Sequence, residues 1–417
     1  MEHISALRRA AATALAVAML AVTACGDDTA SGGGDPDAAD PADVLGPEAP
    51  AGGDPVKVGF ISDGPNQVTD MGIELDVADA TVEYLNEHRS GIGGRPIELV
   101  TCVAETDPSR ATDCANQMVE EDVVGVAVGS LAAAESVWEP LHQAQVPVMF
   151  YAVNSAELLQ DPESTFILTS PLAGTVGTPL AVAQAEGASK VTVVVIDVPA
   201  ALSVYEQAAP ALFEEAGIDL DVVAVPPGTA DMTPQMQDVV DGDPGVLQVV
   251  GNDTFCISAF QGLQAVGFDG PVTAIAQCIT DATRQAVPAE FLDGMAVSAT
   301  APVGVDSPST RLYDAVVGTY GADIDTSRIT GMNVFITVAG FAASLDDISG
   351  EITPASVTAA IKAMSKTELP GGGGLTFRCG GEIDPAIPAV CTRGSLATTL
   401  DENGEPASYE MVGEEPA

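Results

Sequence analysis

EYLNEHRSGIGGRPIELV, residues 83–100, decides how the rest of the chain is read: it is the end of a helix, a glycine-rich corner and the start of a strand. Upstream, Ile73, Val77, Ala80 and Tyr84 recur at helical spacing, so one face is apolar, and Glu74, Asp79 and Glu83 fall on the other. His88 and Arg89 sit where a helix macrodipole favours cations, and Gly91 supplies the permissive backbone of a helix C-terminus. A short apolar strand precedes the helix at 56–61 and another comes after it at 97–102. Asp107-Pro108 then opens the next helix with an N-cap side chain and a proline in its first turn, and 123–128 gives a third strand. Strands alternating with helices specify a parallel sheet covered by helices.

Three segments carry a family resemblance: VGF (58–60), GIELDVADATVEYLNEHRSGIGGRPIELVTC (72–102) and DPSRATDCANQMVEEDVVGVAVGS (107–130). Asn86 ahead of Gly91, Gly93 and Gly94, the run Arg95-Pro96-Ile97-Glu98-Leu99 into a strand, and Ala111 and Ala115 on the next helix are the matching features. In this order they resemble the opening of the leucine/isoleucine/valine-binding-protein family of type I periplasmic binding proteins, and weaker similarity continues through residues 56–377. The resemblance implies an α/β fold of two lobes, each a parallel sheet flanked by helices, with a ligand cleft between them. It also implies that the chain crosses more than once: 55–170 in lobe one, 171–300 in lobe two, 301–365 back in lobe one, and 366–417 back in lobe two with a C-terminal hairpin. Periodicity by itself shows two sets of alternating units, the second with strands at 191–196, 221–225, 245–250, 272–276 and 295–300. Helical spacing marks 205–215 and 333–348, and Thr353-Pro354 opens a further helix. GGGGLTF (371–377) resembles the glycine-then-strand element near the family's end, succeeded here by a cysteine-closed hairpin and an acidic tail.

At 417 residues the chain exceeds the roughly 250–300 residues at which single cores stop growing. Its 14 basic against 60 acidic residues exclude nucleic acid, which needs clustered Lys and Arg, and disfavour adsorption to anionic lipid. The acidity reads as a solubility device. Arg8 and Arg9, an apolar stretch at 10–21 too short to span a bilayer, and Val22-Thr23-Ala24-Cys25 resemble a lipoprotein leader. Residues 1–24 are then removed, and Cys25 becomes the lipid-modified first residue. Glycine, aspartate, alanine and proline dominate the stretch after that cysteine, so 25–54 reads as a flexible tether. The expected location is extracytoplasmic, with the membrane reached only through the lipid. Six further cysteines allow fifteen pairings. Neighbour pairing is expected, Cys102 with Cys114, Cys256 with Cys278 and Cys379 with Cys391, each bridging one strand and the element after it. No CxxC spacing supports a metal site instead.

Ligands in open parallel sheets bind outside the carboxyl ends of strands, which points to loops 62–71, 129–134, 151–155, 197–203, 251–256 and 276–278. The resemblance assigns roles there. Ala132 or Ala133 stands where the family often has a serine contacting the ligand's carboxylate, so only backbone N–H groups could serve. Asn154, beside Tyr151, falls where the family has threonine or serine. Ala201-Leu202 replaces an aromatic–glycine pair. Asn252, Asp253 and Gln277 would face them from lobe two. Each such residue alone reads equally as a cap or turn residue; a set lining one cleft reads as a binding site.

Catalysis has no comparable pattern. His3 lies in the leader, His88 and His142 sit on helices, and neither a nucleophile elbow, a phosphate loop nor a dinucleotide fingerprint occurs. Trp138, the sole tryptophan, reads as packing a helix. The sequence is therefore read as the capture component of an ABC importer, a monomer without cofactor. Its expected partners are a permease and a small polar ligand, an amino acid or an analogue that need not be leucine, isoleucine or valine. A sensor of the same fold signalling to a membrane receptor is the alternative, and an enzyme ranks last.

Overall fold

The computed structural model describes residues 41–65, 71–321 and 323–413. The leader, Cys25 and the first part of the expected tether lie outside them, as does the chain's end at 414–417. Lobe one is laid down by α1 (Pro41–Leu45), β1 (Val56–Ser62), α2 (Ile73–His88), β2 (Ile97–Val103), α3 (Pro108–Glu120), β3 (Val126–Val128), α4 (Ala134–Gln143), β4 (Val148–Phe150), α5 (Ala156–Leu159) and β5 (Thr165–Ile167). Its five strands run parallel in the order β2-β1-β3-β4-β5. The corner at 89–95 works as its residues suggest. Gly91 takes a φ of 61° against the Arg95 carbonyl, where a side chain would be both strained and obstructed. The Asn86 amide donates to Ile97 O at 2.9 Å and accepts from Ile97 N at 2.7 Å, tying the helix end to the incoming strand.

Lobe two holds α6 (Pro171–Glu186), β6 (Lys190–Ile196), α7 (Pro199–Ser203), α8 (Ala209–Ala216), β7 (Asp219–Val225), α9 (Thr233–Asp241), β8 (Val246–Val250), α10 (Asp253–Val266), β9 (Val272–Ile275), α11 (Asp281–Ala286), α12 (Ala289–Leu292) and β10 (Ala296–Ala299). The chain returns to lobe one with α13 (Pro308–Tyr320), α14 (Ile329–Ala343), α15 (Pro354–Ala363) and the two-stranded pair β11 (Thr367–Glu368) and β12 (Thr376–Phe377). It ends in lobe two with β13 (Ser395–Leu400) and β14 (Pro406–Val412). The second sheet has the order β14-β13-β10-β9-β8-β6-β7, parallel except for β13 and β14, which form an antiparallel hairpin on β10. Ser307, Thr353 and Thr280 each cap their helices reciprocally with the residue three positions on.

Both sheets are covered on two faces. In lobe one, α2, α13 and α14 bury Val77, Tyr84, Met332 and Phe335 on one side, while α3 and α4 bury Ala115, Met118 and Leu141 on the other. In lobe two, Phe255, Phe260 and Leu263 fill one face and Val176, Tyr205 and Phe213 the other. Each of the larger apolar side chains contributes roughly 1.5–3 kcal/mol through burial, which makes these layers the main support of the fold.

Four expectations are corrected. The stretch 41–54 is not a free tether: Ala49 N donates to Glu87 O, Ala51 N to Asn86 O and Gly52 N to Gly94 O, and Leu45 is buried. Backbone partners at the glycine corner hold a segment that has few apolar side chains. The 366–393 segment belongs to lobe one, not lobe two, because Val390 bridges Ile167 beside β5, and lobe two resumes only at β13. The stretch between Cys379 and Cys391 holds no strand pair, so the C-terminal hairpin is β13–β14, built partly from the expected acidic tail. Finally, the helix expected at 205–215 begins already at Pro199 and passes through a π-helical turn, Val204–Ala208. The disulfides are Cys102–Cys114, Cys256–Cys278 and Cys379–Cys391.

Candidate functional site

The carboxyl ends of β3, β4, β9 and β10 open on one cavity of about 720 Å³, lined from lobe one by Ser130, Leu131, Tyr151 and Val153 and from lobe two by Gln277, Thr280 and Arg284. A chamber of about 220 Å³ adjoins it across Ala152, Ala276, Gln277, Ala299 and Thr300, and there Asn154, Ser170, Thr175 and Ser395 supply uncharged polar groups. Strand ends place these loops for a simple reason: the backbone N–H groups beyond a parallel strand lead into a helix and find no ladder partner.

The expected residues divide. Tyr151 and Gln277 line the large cavity, Asn154 and Gln277 the smaller chamber. Tyr151 is held by its hydroxyl, which donates to Thr300 O from the strand end of lobe two, and burial pushes that hydroxyl well above the usual tyrosine range. Ala132 and Ala133 line neither space; Ala132 N donates to Asp63 Oδ2 at 2.8 Å, and Ala133 is buried at the start of α4. Asn252 is the N-cap of α10, accepting from Phe255 N at 2.9 Å, and Asp253 Oδ1 accepts from Thr254 N at 2.7 Å, so both serve their own helix. Trp138 packs in the lobe-one core and donates through Nε1 to Thr165 Oγ1 at 2.9 Å.

The structure adds residues that the sequence pattern did not single out. Glu74, expected on the solvated face of its helix, is 1 % exposed and lines the cavity. Its carboxyl accepts from Ser62 Oγ at 2.5 Å and from Ser130 through both N and Oγ. Burial raises its pKa against the pull of those hydrogen bonds, and nearby Asp63 adds to the rise. Gly129 makes the approach feasible, since a Cβ there would collide with Glu74 Oε2. α14 contributes Thr330, Asn333 and Thr337 to the same wall; the polar residues at i, i+3 and i+7 of a strongly apolar helix were the signal available in sequence. Thr330 Oγ1 and Asn333 Oδ1 are buried without a hydrogen-bond partner. Tyr409, from the terminal hairpin, donates to Val303 O at 2.8 Å, and burial pushes its pKa up to about 12. Among the described residues no group of three or more His, Cys, Asp or Glu is placed to hold a metal ion, and no helix is long and apolar enough to cross a membrane.

Two parallel-sheet lobes whose strand ends share one cavity define a two-lobe binding protein, a scaffold that holds a small molecule between its halves. The chain belongs to the periplasmic binding protein family, whose profile matches residues 55–390. No curated sequence matches it. Among solved structures it is similar to a putative branched-chain amino acid ABC transporter protein from Rhodospirillum rubrum, at 18 % identity and a TM-score of 0.71, over 84 % of this chain and 99 % of that one. It is similar also to an ABC transporter solute-binding protein from R. palustris in complex with 4-hydroxybenzoate, at 20 % identity and a TM-score of 0.63, over 87 % and 98 %. A branched-chain amino acid substrate-binding protein from Streptococcus pneumoniae in complex with isoleucine matches at 17 % identity and 0.60, over 86 % and 99 %.

Proposed function

We propose that this protein captures an amino acid or a related small polar molecule outside the cytoplasm and presents it to an ABC permease, held to the membrane by an acylated Cys25. The cavity between the lobes carries the reading. At about 720 Å³ it falls in the range of roughly 300–1,000 Å³ typical of small-molecule sites, and both lobes supply its walls. A ligand touching both walls interacts more strongly with a closed arrangement than with an open one, and that difference drives closure. Tyr151, Gln277 and, in the smaller chamber, Asn154 stand as its contacts. The solved structures of similar fold were obtained with isoleucine and with 4-hydroxybenzoate, so the fold leaves the ligand to the side chains of this cavity.

Calorimetric titration of the purified protein with leucine, isoleucine, valine, other amino acids, amides and 4-hydroxybenzoate tests this. Saturable binding of one solute per chain is expected; a chain that binds none of them contradicts the assignment.

A further inference from the structure

We propose that Arg284, on the lobe-two wall, fixes a carboxylate of the ligand, which therefore lies in the cavity with its anionic end away from the lobe-one loop where the family resemblance would place it. The inference rests on the solute-binding reading and adds the chemical class of solute: a carboxylate carried on an apolar body.

The lobe-one loop is poorly suited to an anion. Ser130 N and Oγ both donate to Glu74, Ala132 N donates to Asp63, and the residues at 132 and 133 bring no hydroxyl. An incoming carboxylate there would meet two acidic side chains, Glu74 and Asp63, both buried. The opposite wall also carries two acids, Asp281 and Glu405, but adds a cation between them. Among the described residues lining the cavity, Arg284 is the one basic side chain. It is 21 % exposed and held at three points: Nε donates to Gly404 O at 3.0 Å, Nη1 to Asp281 Oδ1 at 3.1 Å, and Nη2 lies 2.8 Å from Glu405 Oε2. A guanidinium has five N–H donors in a rigid fork, so three contacts orient it and leave a donor on each terminal nitrogen for a carboxylate. The two acids that hold it are 91 % and 53 % exposed, so solvent screens their repulsion of an arriving anion. Ile279, Val297, Leu400 and Tyr409 share this lobe-two wall and supply apolar surface for the body of such a ligand.

The chain's overall charge sets the salt dependence of such a site. With a formal net charge of −46, the protein repels anions at long range, so an anionic ligand needs a fixed, desolvated cation at its destination. Binding of such a ligand strengthens with added salt, because screening removes the repulsion at a distance and affects a partly buried contact less. A cationic ligand would show the opposite trend.

The test titrates the purified protein with matched acids and amides, 4-hydroxybenzoate against 4-hydroxybenzamide and isoleucine against isoleucinamide, at low and high salt, in the wild type, Arg284→Gln and Arg284→Lys. The acid of at least one pair is expected to bind in preference to its amide, and more tightly at high salt. Arg284→Gln should weaken the acid by about tenfold to a hundredfold and remove the preference, with Arg284→Lys in between. A purely structural Arg284, tying α11 to the terminal hairpin, would lower affinity for acid and amide alike and so overturn the proposal. An unchanged acid affinity in Arg284→Gln also overturns it. Tight binding of an amide with no acid bound would overturn the carboxylate assignment while leaving the solute-binding reading intact; binding of none of the probes would remove both.

Discussion

Glu74 shows how a single residue joins the fold to the cavity. It sits in the first turn of α2 and reaches across to the loop after β3, where Ser130 meets it through backbone and hydroxyl. Because burial raises its pKa, the native state keeps a proton that the unfolded chain has released at the same pH. Below the ordinary glutamate range both states hold that proton, and above the raised value neither does. Between those limits stability falls as pH rises. Glu74→Gln, with a neutral side chain of the same shape, should lose that part of the slope, so the difference between the two denaturation curves should shrink or invert as pH rises through this interval. Parallel wild-type and mutant profiles would show that folding does not raise the pKa of Glu74. Sequence alone could not place Glu74 here. Periodicity assigned it to the polar face of α2, and only the three-dimensional approach of Ser62 and Ser130 makes that face an interior one. Asn86 and Gly91, by contrast, were legible, because a helix end, a left-handed corner and a strand start are local events.

Among the elements, the short turn Ala276–Cys278 between β9 and α11 forms part of the cavity wall, and the Cys256–Cys278 bridge fastens it to the first turns of α10. Closing a loop over a sequence separation of 22 restricts the unfolded chain, an effect worth about 3 kcal/mol. The double substitution Cys256→Ser, Cys278→Ser should lower the free energy of unfolding by about that amount, read as a lower denaturant midpoint; an unchanged midpoint would mean that the bridge adds no stability. Long alternating units such as α2, α3 and β6 were readable because their patterns extend over many residues. β5 was missed. Three residues, Thr165, Phe166 and Ile167, carry no period, and their pairing partner Val148–Phe150 is itself as short. The lobe of residues 366–393 is illegible in sequence for a related reason, since the bridge of Val390 to Ile167 decides it across a long stretch of chain.

For the whole molecule, the decisive feature is that the chain passes between the lobes three times, after β5, after β10 and before β13. Three strands of backbone permit bending while preventing the lobes from separating, and the cavity lies between the two sheets that these segments join. The family resemblance implies more than one crossing without the right bounds for 366–393, and chain length implies two cores. The walls contributed by α14 and by the β13–β14 hairpin were not foreseen, because the rule that ligands gather at strand ends says nothing about helices and hairpins that arrive from later in the chain. A solute held by both walls is expected to close the lobes around it. Small-angle X-ray scattering from the protein alone and saturated with the best binder found by titration tests this most directly. Closure predicts a smaller radius of gyration in the bound state; a radius unchanged at saturation would contradict it.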